Sequence, residues 1–362
     1  MKKIVSIILA ACMLAFAAPG AFAADGEAPV GSGTLNVLAY NVSGLPLIGD
    51  FQGTVVTGTF QRARLIGGLL NSVDVDFIGV EEDFTAHDAL AEEMTAYPYR
   101  SPNSGGLTAG SGVNVFSSHK IYNVTREKWR FEYGNLSGST DALSNKGFVY
   151  CVMELEPGVY FDVICAHCDA GFDPISVLCR ADNFRQMAKF INENLSTKRP
   201  LIVMGDLNYK FRRNLPDDLF GNLLEPTGLK DMWTELYNNS LYDFTDEGWQ
   251  DGPGDDLDRI LYRSGDCVTI EPVSKTVPEL YGENGERYTD HAPMLGTFSY
   301  TVNEYETDLE TMTEPEPANK LLLAFKELLY AFVRVFQLVI GLVEIPYLAA
   351  QGVYIAANGN MP

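Results

Sequence analysis

The stretch from about residue 33 to residue 300 predicts a layered α/β sandwich, two packed β-sheets flanked by helices. Three observations predict it. Short runs rich in β-branched and aromatic residues recur along the stretch, helical patterns separate some of them, and compact turns join others. Strands are expected at 34–42, 76–81, 112–117, 148–155, 160–167, 201–206, 257–263 and 292–300, and helices at 60–71, 88–94 and 175–194.

In chain order, Leu35 to Tyr40 is a β-rich run that ends in Asn41, and a helical pattern follows at 60–71. The run Phe77-Ile78-Gly79-Val80 ends in Glu81-Glu82. Two further β-type runs flank Glu156-Pro157-Gly158-Val159, which reads as a hairpin turn, and the second of them ends in His167. The helix at 175–194 carries Leu178, Met187, Phe190 and Ile191 at helical spacing. Leu201-Ile202-Val203-Met204 reads as a buried strand that stops at Gly205-Asp206-Leu207-Asn208. Asp206 and Asn208 are two apart, so they share a face while the chain stays extended.

The chain opens Met1-Lys2-Lys3, continues with an apolar run and reaches Ala21-Phe22-Ala23, the pattern of a secretory signal peptide over 1–23. Leu9-Ala10-Ala11-Cys12 offers a rival reading as a lipid-attachment site. Either implies a secreted or extracytoplasmic location. The net charge is −22, and removing the leader with Lys2 and Lys3 makes it −22 − 2 = −24. Charge of that sign weighs against non-specific binding of nucleic acid. Cys151, Cys165, Cys168, Cys179 and Cys267 remain in the mature chain. Export permits disulfides. The hairpin would set Cys151 opposite Cys165, and Cys168 could reach Cys179; buried free thiols are the alternative. Zinc at Cys165-x-x-Cys168 is disfavoured because no second pair follows at finger spacing.

The strand ends carry the chemistry. Asn41, Glu82, His167, Asp206 and Asn208 follow strands, Asp258 opens one, and Asp290-His291 precedes the last. Active sites of α/β folds gather at strand carboxyl ends. Carboxylates and amides suit a hard cation such as Mg2+, and histidines supply protons to phosphoryl oxygens. Each residue alone has a structural explanation, as a turn residue, a helix-start acid or a surface ion pair. The set in this order does not.

This order resembles the endonuclease/exonuclease/phosphatase superfamily, which includes pancreatic deoxyribonuclease, bacterial sphingomyelinases and inositol polyphosphate 5-phosphatases. The resemblance implies a four-layered α/β sandwich over 33–300 and Mg2+-dependent (or other divalent-cation) hydrolysis of a phosphate ester. It implies Glu82 as the main metal ligand, with Asn41 and Asp290 nearby. Asp206 and Asn208 would activate water, His167 and His291 would serve the phosphoryl oxygens, and Asp258 would fix a histidine tautomer. Glu81 departs from the Gln usual before the metal Glu, and Ala166 and Cys168 depart around the first histidine. His87 and His119 match no family motif and read as surface or structural.

Asn145-Lys146-Gly147 is similar to a 5-phosphatase motif, making Lys146 a candidate phosphate contact. His167-Cys168-Asp169-Ala170 with Arg180 and Gln186 is similar to the sphingomyelinase pattern. A phospholipid headgroup or small phosphoester is therefore the favoured substrate. A secreted deoxyribonuclease-like enzyme and an inactive binding module are the alternatives. Residues 301–319 are rich in Glu, Thr, Asp and Pro and read as a solvated acidic linker. Residues 320–362 form an apolar tail in which Lys326, Glu327, Tyr330, Arg334, Gln337, Gly341 and Glu344 make one polar helical stripe. A helix lying in a membrane surface over 320–357 is the reading favoured for it.

Overall fold

The computed structural model describes residues 29–44, 59–104, 110–133, 141, 144–209, 215–237, 257–307 and 312–315, with isolated positions at 321 and 325. The leader, most of the loop after Ser43 and the apolar tail lie outside the described residues.

The first sheet contains β1 (Gly31–Asn41), β2 (Phe77–Glu81), β3 (Tyr99–Arg100), β4 (Asn114–Ser117), β11 (Val268–Thr276) and β12 (Met294–Val302), in the order β11-β12-β1-β2-β4-β3. The second contains β5 (Lys120–Lys128), β6 (Gly147–Glu156), β7 (Val159–His167), β8 (Leu201–Asp206), β9 (Lys230–Asp231) and β10 (Asp258–Arg263), in the order β5-β6-β7-β8-β10-β9. Each sheet has one parallel pair near its centre, β1 with β2 and β7 with β8. Four helices matter for packing: α1 (Thr59–Leu70), α2 (His87–Glu93), α3 (Pro174–Asn194) and α4 (Met232–Tyr237).

Residue parity along the strands creates the layers. Leu35, Val37 and Ala39 face Phe161, Val163, Cys165, Ile202 and Met204 in the core between the sheets. The alternate residues Leu38, Tyr40, Ile78 and Val80 pack instead on Ile66, Leu70 and Leu90 of α1 and α2. On the second sheet Ile164, Val203 and Leu261 face outward onto Phe184, Met187 and Ile191 of α3. Central strands must therefore be apolar on both faces, and β7 and β8 are buried throughout. Helix α3 starts cleanly because the Asp173 carboxylate accepts from the Ile175 and Ser176 amides and Pro174 opens the first turn.

The expected sandwich is the observed fold, and the eight expected strands and three helices are present with shifts of a few residues at their ends. Strands β3, β5, β9 and β11 were not anticipated. β5 carries Lys120, Arg126 and Lys128 at a sheet edge, and β11 carries Pro272 beside a bulge; both features mask a strand signal.

The expected cysteine pairing is corrected. The turn at Gly158, with φ of 85°, and a bulge between Glu154 and Glu156 set Cys151 opposite Val163 and Cys165 opposite Val149. All five described cysteines are buried free thiols. β12 runs to Val302, and beyond it Arg199 Nε donates to Glu306 at 2.7 Å. Asn123 and Thr313 exchange backbone and side-chain hydrogen bonds of 2.9 Å. No helix among the described residues is long and apolar enough to cross a membrane.

Candidate active site

The parallel pairs deliver their carboxyl ends to one place. β1 supplies Asn41, the residue after β2 is Glu82, β7 supplies His167 and β8 supplies Asp206. β10 runs antiparallel to β8 with Asp258 opposite Asp206, so its first residue meets the end of β8. Gly205 is required beside this cluster: its φ is 130°, and a Cβ there would lie 2.2 Å from the Ala166 carbonyl oxygen.

Asn41 bridges the acids. Its Nδ2 donates to Glu82 Oε1 and to Asp206 Oδ2, both at 3.1 Å, while its Oδ1 accepts from the Ser43 amide at 2.9 Å. His167 Nε2 stands 3.4 Å from Asp206 Oδ2 and 3.7 Å from Glu82 Oε1. Neither His167 ring nitrogen has a hydrogen-bond partner among the described residues, although the side chain is buried. Burial, then the positive charges of Lys146 and His291, hold its pKa well below the ordinary imidazole value, so it is neutral.

His291 is arranged in the opposite way. Its Nδ1 lies 2.9 Å from Asp258 Oδ2, and its Nε2 is 3.8 Å from Asp206 Oδ2. Burial alone would lower its pKa, but Asp258, Asp206 and Asp290 together raise it to about 11. It is an imidazolium at neutral pH. Thr289 anchors this loop by donating from Oγ1 to the Asn41 carbonyl at 2.8 Å.

The same-face argument for Asp206 and Asn208 does not describe the structure. β8 ends at Asp206, and Asn208 has a left-handed φ of 50°. Its backbone amide instead donates to Asp206 Oδ1 at 2.9 Å, and its side-chain amide donates to the Cys168 carbonyl at 3.1 Å. Asn208 thus fixes the carboxylate and ties it to the β7 end. Asp290 is exposed beside His291 and belongs to neither converging triad. Lys146 is buried, with Nζ 2.5 Å from Asp141 Oδ1. Burial opposes its charge, yet Asp141, Glu82 and Asp206 raise its pKa, which makes it the internal counter-charge of the site.

Glu81 reaches across to β7. Its Oε1 accepts from Cys165 Sγ at 2.9 Å, and burial, then Asp258, push its pKa well up. His87 is buried against Phe116, and His119 pairs with Asp76. Sequence reasoning missed Asp141, Asn183 and Trp129. Asn183 accepts from the Asp169 amide at 2.9 Å, and Trp129 Nε1 donates to the His167 carbonyl at 2.6 Å. Asn183 lies on α3 and Trp129 directly follows β5, so their roles come from packing between elements distant in sequence, which no local pattern reveals.

Two triads share Asp206. Ligand atoms of Glu82, His167 and Asp206 lie within 4.8 Å of one another, as do those of Asp206, Asp258 and His291. The first has room for a divalent cation on Glu82: its carboxylate converges in a buried place with a second acid and a neutral imidazole that has unsatisfied nitrogens. Burial also raises the pKa of Glu82, against the pull of Lys146 and Asn41, so a nearby cation would relieve an acid held out of water.

Residues 38–291 match the endonuclease/exonuclease/phosphatase family, and the chain belongs to it. It is 29% identical over 284 residues to the sphingomyelinase of Mycobacterium bovis, covering 75% of this chain and 54% of that protein. The chain therefore spans about half the length of this curated relative. The crystal structure of sphingomyelinase C from Streptomyces griseocarneus matches with a TM-score of 0.50 and 20% identity, over 73% of this chain and 99% of the other. D. rerio TDP2, crystallised with a single-strand DNA product, matches with a TM-score of 0.52 and 18% identity, over 73% and 98%. At these identities the two structures support the fold alone.

Proposed function

We propose that the chain hydrolyses the phosphodiester of a phospholipid headgroup, of the sphingomyelin kind, with a divalent cation, Mg2+, as cofactor. The observation that carries this reading is the convergence of Glu82, His167, Asp206, Asp258 and His291 on one buried spot. The sphingomyelinase relative supplies the substrate class.

Glu82 would hold the cation, with Asn41 beside it and Asp290 at the rim. When bound, the cation neutralises charge on a non-bridging phosphoryl oxygen. Asp206 is the acceptor placed to take a proton from attacking water, and the Asn208 amide keeps its carboxylate oriented. His291, charged and clamped by Asp258, is the proton donor for the leaving oxygen. Neutral His167 presents Nε2 toward the same spot and can hydrogen-bond a phosphoryl oxygen or the water. Lys146 balances the acids from behind. The leader pattern supports action outside the cytoplasm, and the apolar tail supports residence at a lipid surface.

The test is an assay of the purified mature chain against sphingomyelin, phosphatidylinositols, inositol phosphates and plasmid DNA, with and without EDTA. Release of phosphocholine from sphingomyelin that EDTA abolishes is the expected result. Inactivity on the lipids together with rapid, salt-sensitive DNA nicking would replace this reading with the nuclease one.

A further inference from the structure

Glu82 sits in an unusual backbone position. It follows β2 with φ of 61°, and Phe84, two residues on, has φ of 32°. Residues other than glycine rarely adopt such values unless their surroundings impose them. Between the two lies Asp83, fully buried and absent from any reaction role described above.

Asp83 is held from three sides. Asn114 Nδ2, from β4, donates to both carboxylate oxygens at 2.8 Å. His87 Nδ1, from α2, lies 2.5 Å from Oδ2. The Asp83 backbone amide donates to the Gly112 carbonyl at 3.2 Å. Asn114 is itself fixed, because its Oδ1 accepts from Ser101 Oγ at 3.0 Å and from the Arg126 guanidinium. Arg126 also donates to Ser101 Oγ at 3.0 Å and to the Pro102 carbonyl at 2.6 Å. On the other side of the turn, the Gly44 amide donates to the Glu82 carbonyl at 2.8 Å, and a Cβ on Gly44 would lie 2.2 Å from that oxygen. The turn bearing Glu82 is thus clamped between the end of β1 and a buried polar network on β4, β5 and α2.

We propose that Asp83, gripped by Asn114 and His87 and backed by Arg126, is a positioning residue that holds the Glu82 carboxylate ready for a divalent cation. His87, which matched no family motif, acquires a place in this network. The inference rests on the cation reading above. Partners behind a metal ligand commonly change affinity by about 10–100-fold when removed.

The experiment is titration of the metal-free chain with Mn2+, followed by electron paramagnetic resonance and calorimetry. It compares wild type, Asn114→Ala, Asp83→Asn, Glu82→Ala and, as a remote core control, Ile191→Ala. Asn114→Ala should weaken Mn2+ binding by about 10–100-fold, and Asp83→Asn should weaken it in the same direction by less. Ile191→Ala should lower the melting temperature and keep wild-type affinity. Wild-type affinity in Asn114→Ala, or in Asp83→Asn if the alanine variant does not fold, overturns the inference. So does an equal loss in Ile191→Ala, which would reduce the network to general stability. Mn2+ binding by wild type that Glu82→Ala leaves intact overturns the cation reading itself, and the inference with it.

Discussion

The two histidine-bearing edges of the site have opposite characters. At the end of β7, His167 is buried, has no hydrogen-bond partner on either ring nitrogen among the described residues, and is neutral. Before β12, His291 is braced by Asp258 at 2.9 Å and carries a proton. On the proposed reading a symmetrical pair could not offer both a proton donor for the leaving oxygen and a neutral imidazole beside Asp206. Environments that push titratable groups apart separate the acid from the groups that must stay uncharged.

The shared residue gives the largest expected effect. Asp206→Ala removes the carboxylate common to both triads, and turnover should fall by about 10⁴-fold or below detection, read as phosphocholine release. His291→Gln should cost about 10²–10³-fold in kcat, because the proton donor is lost. His167→Ala should cost about 10²-fold and leave the alkaline limb of the pH–rate profile where it was.

Asp258→Asn sharpens the contrast through pH. On the proposed reading the acid form of His291 is the active one, so activity is present below its pKa and lost as pH rises through it. That pKa, about 11 in the folded chain, is held up chiefly by Asp258 against burial. Removing the charge should move the alkaline fall of kcat to lower pH, with about a tenfold loss at pH 8 once the pKa has fallen to about 7. The smallest effect belongs to Thr289→Val, which removes the bond to the Asn41 carbonyl. It should lower stability by about 1 kcal/mol in urea unfolding and reduce activity only modestly.

Much of this was legible before any coordinates. Apolar runs such as Leu201-Ile202-Val203-Met204 must be buried on both faces, so the central strands declare themselves, and their ends point to Asn41, Glu82, His167 and Asp206. The edge strands were opaque because charge and proline there serve to prevent pairing with other chains. Asn208 was placed near Asp206 for the wrong reason, since a left-handed turn replaces the extended chain at that point. Lys146 was legible as a site residue, but its partner Asp141 lies in a loop with no strand or helix signal, so its role as a counter-charge was hidden. Protonation states were beyond reach for the same reason: they depend on which carboxylate ends beside which ring.

Imidazole-resolved NMR titration of the metal-free chain, with His167→Gln and His291→Gln variants to assign the signals, tests the central claim most directly. The account predicts one ring that stays neutral well below the ordinary value near 6.5 and another that stays protonated far above it. Two rings titrating together near that ordinary value would contradict it.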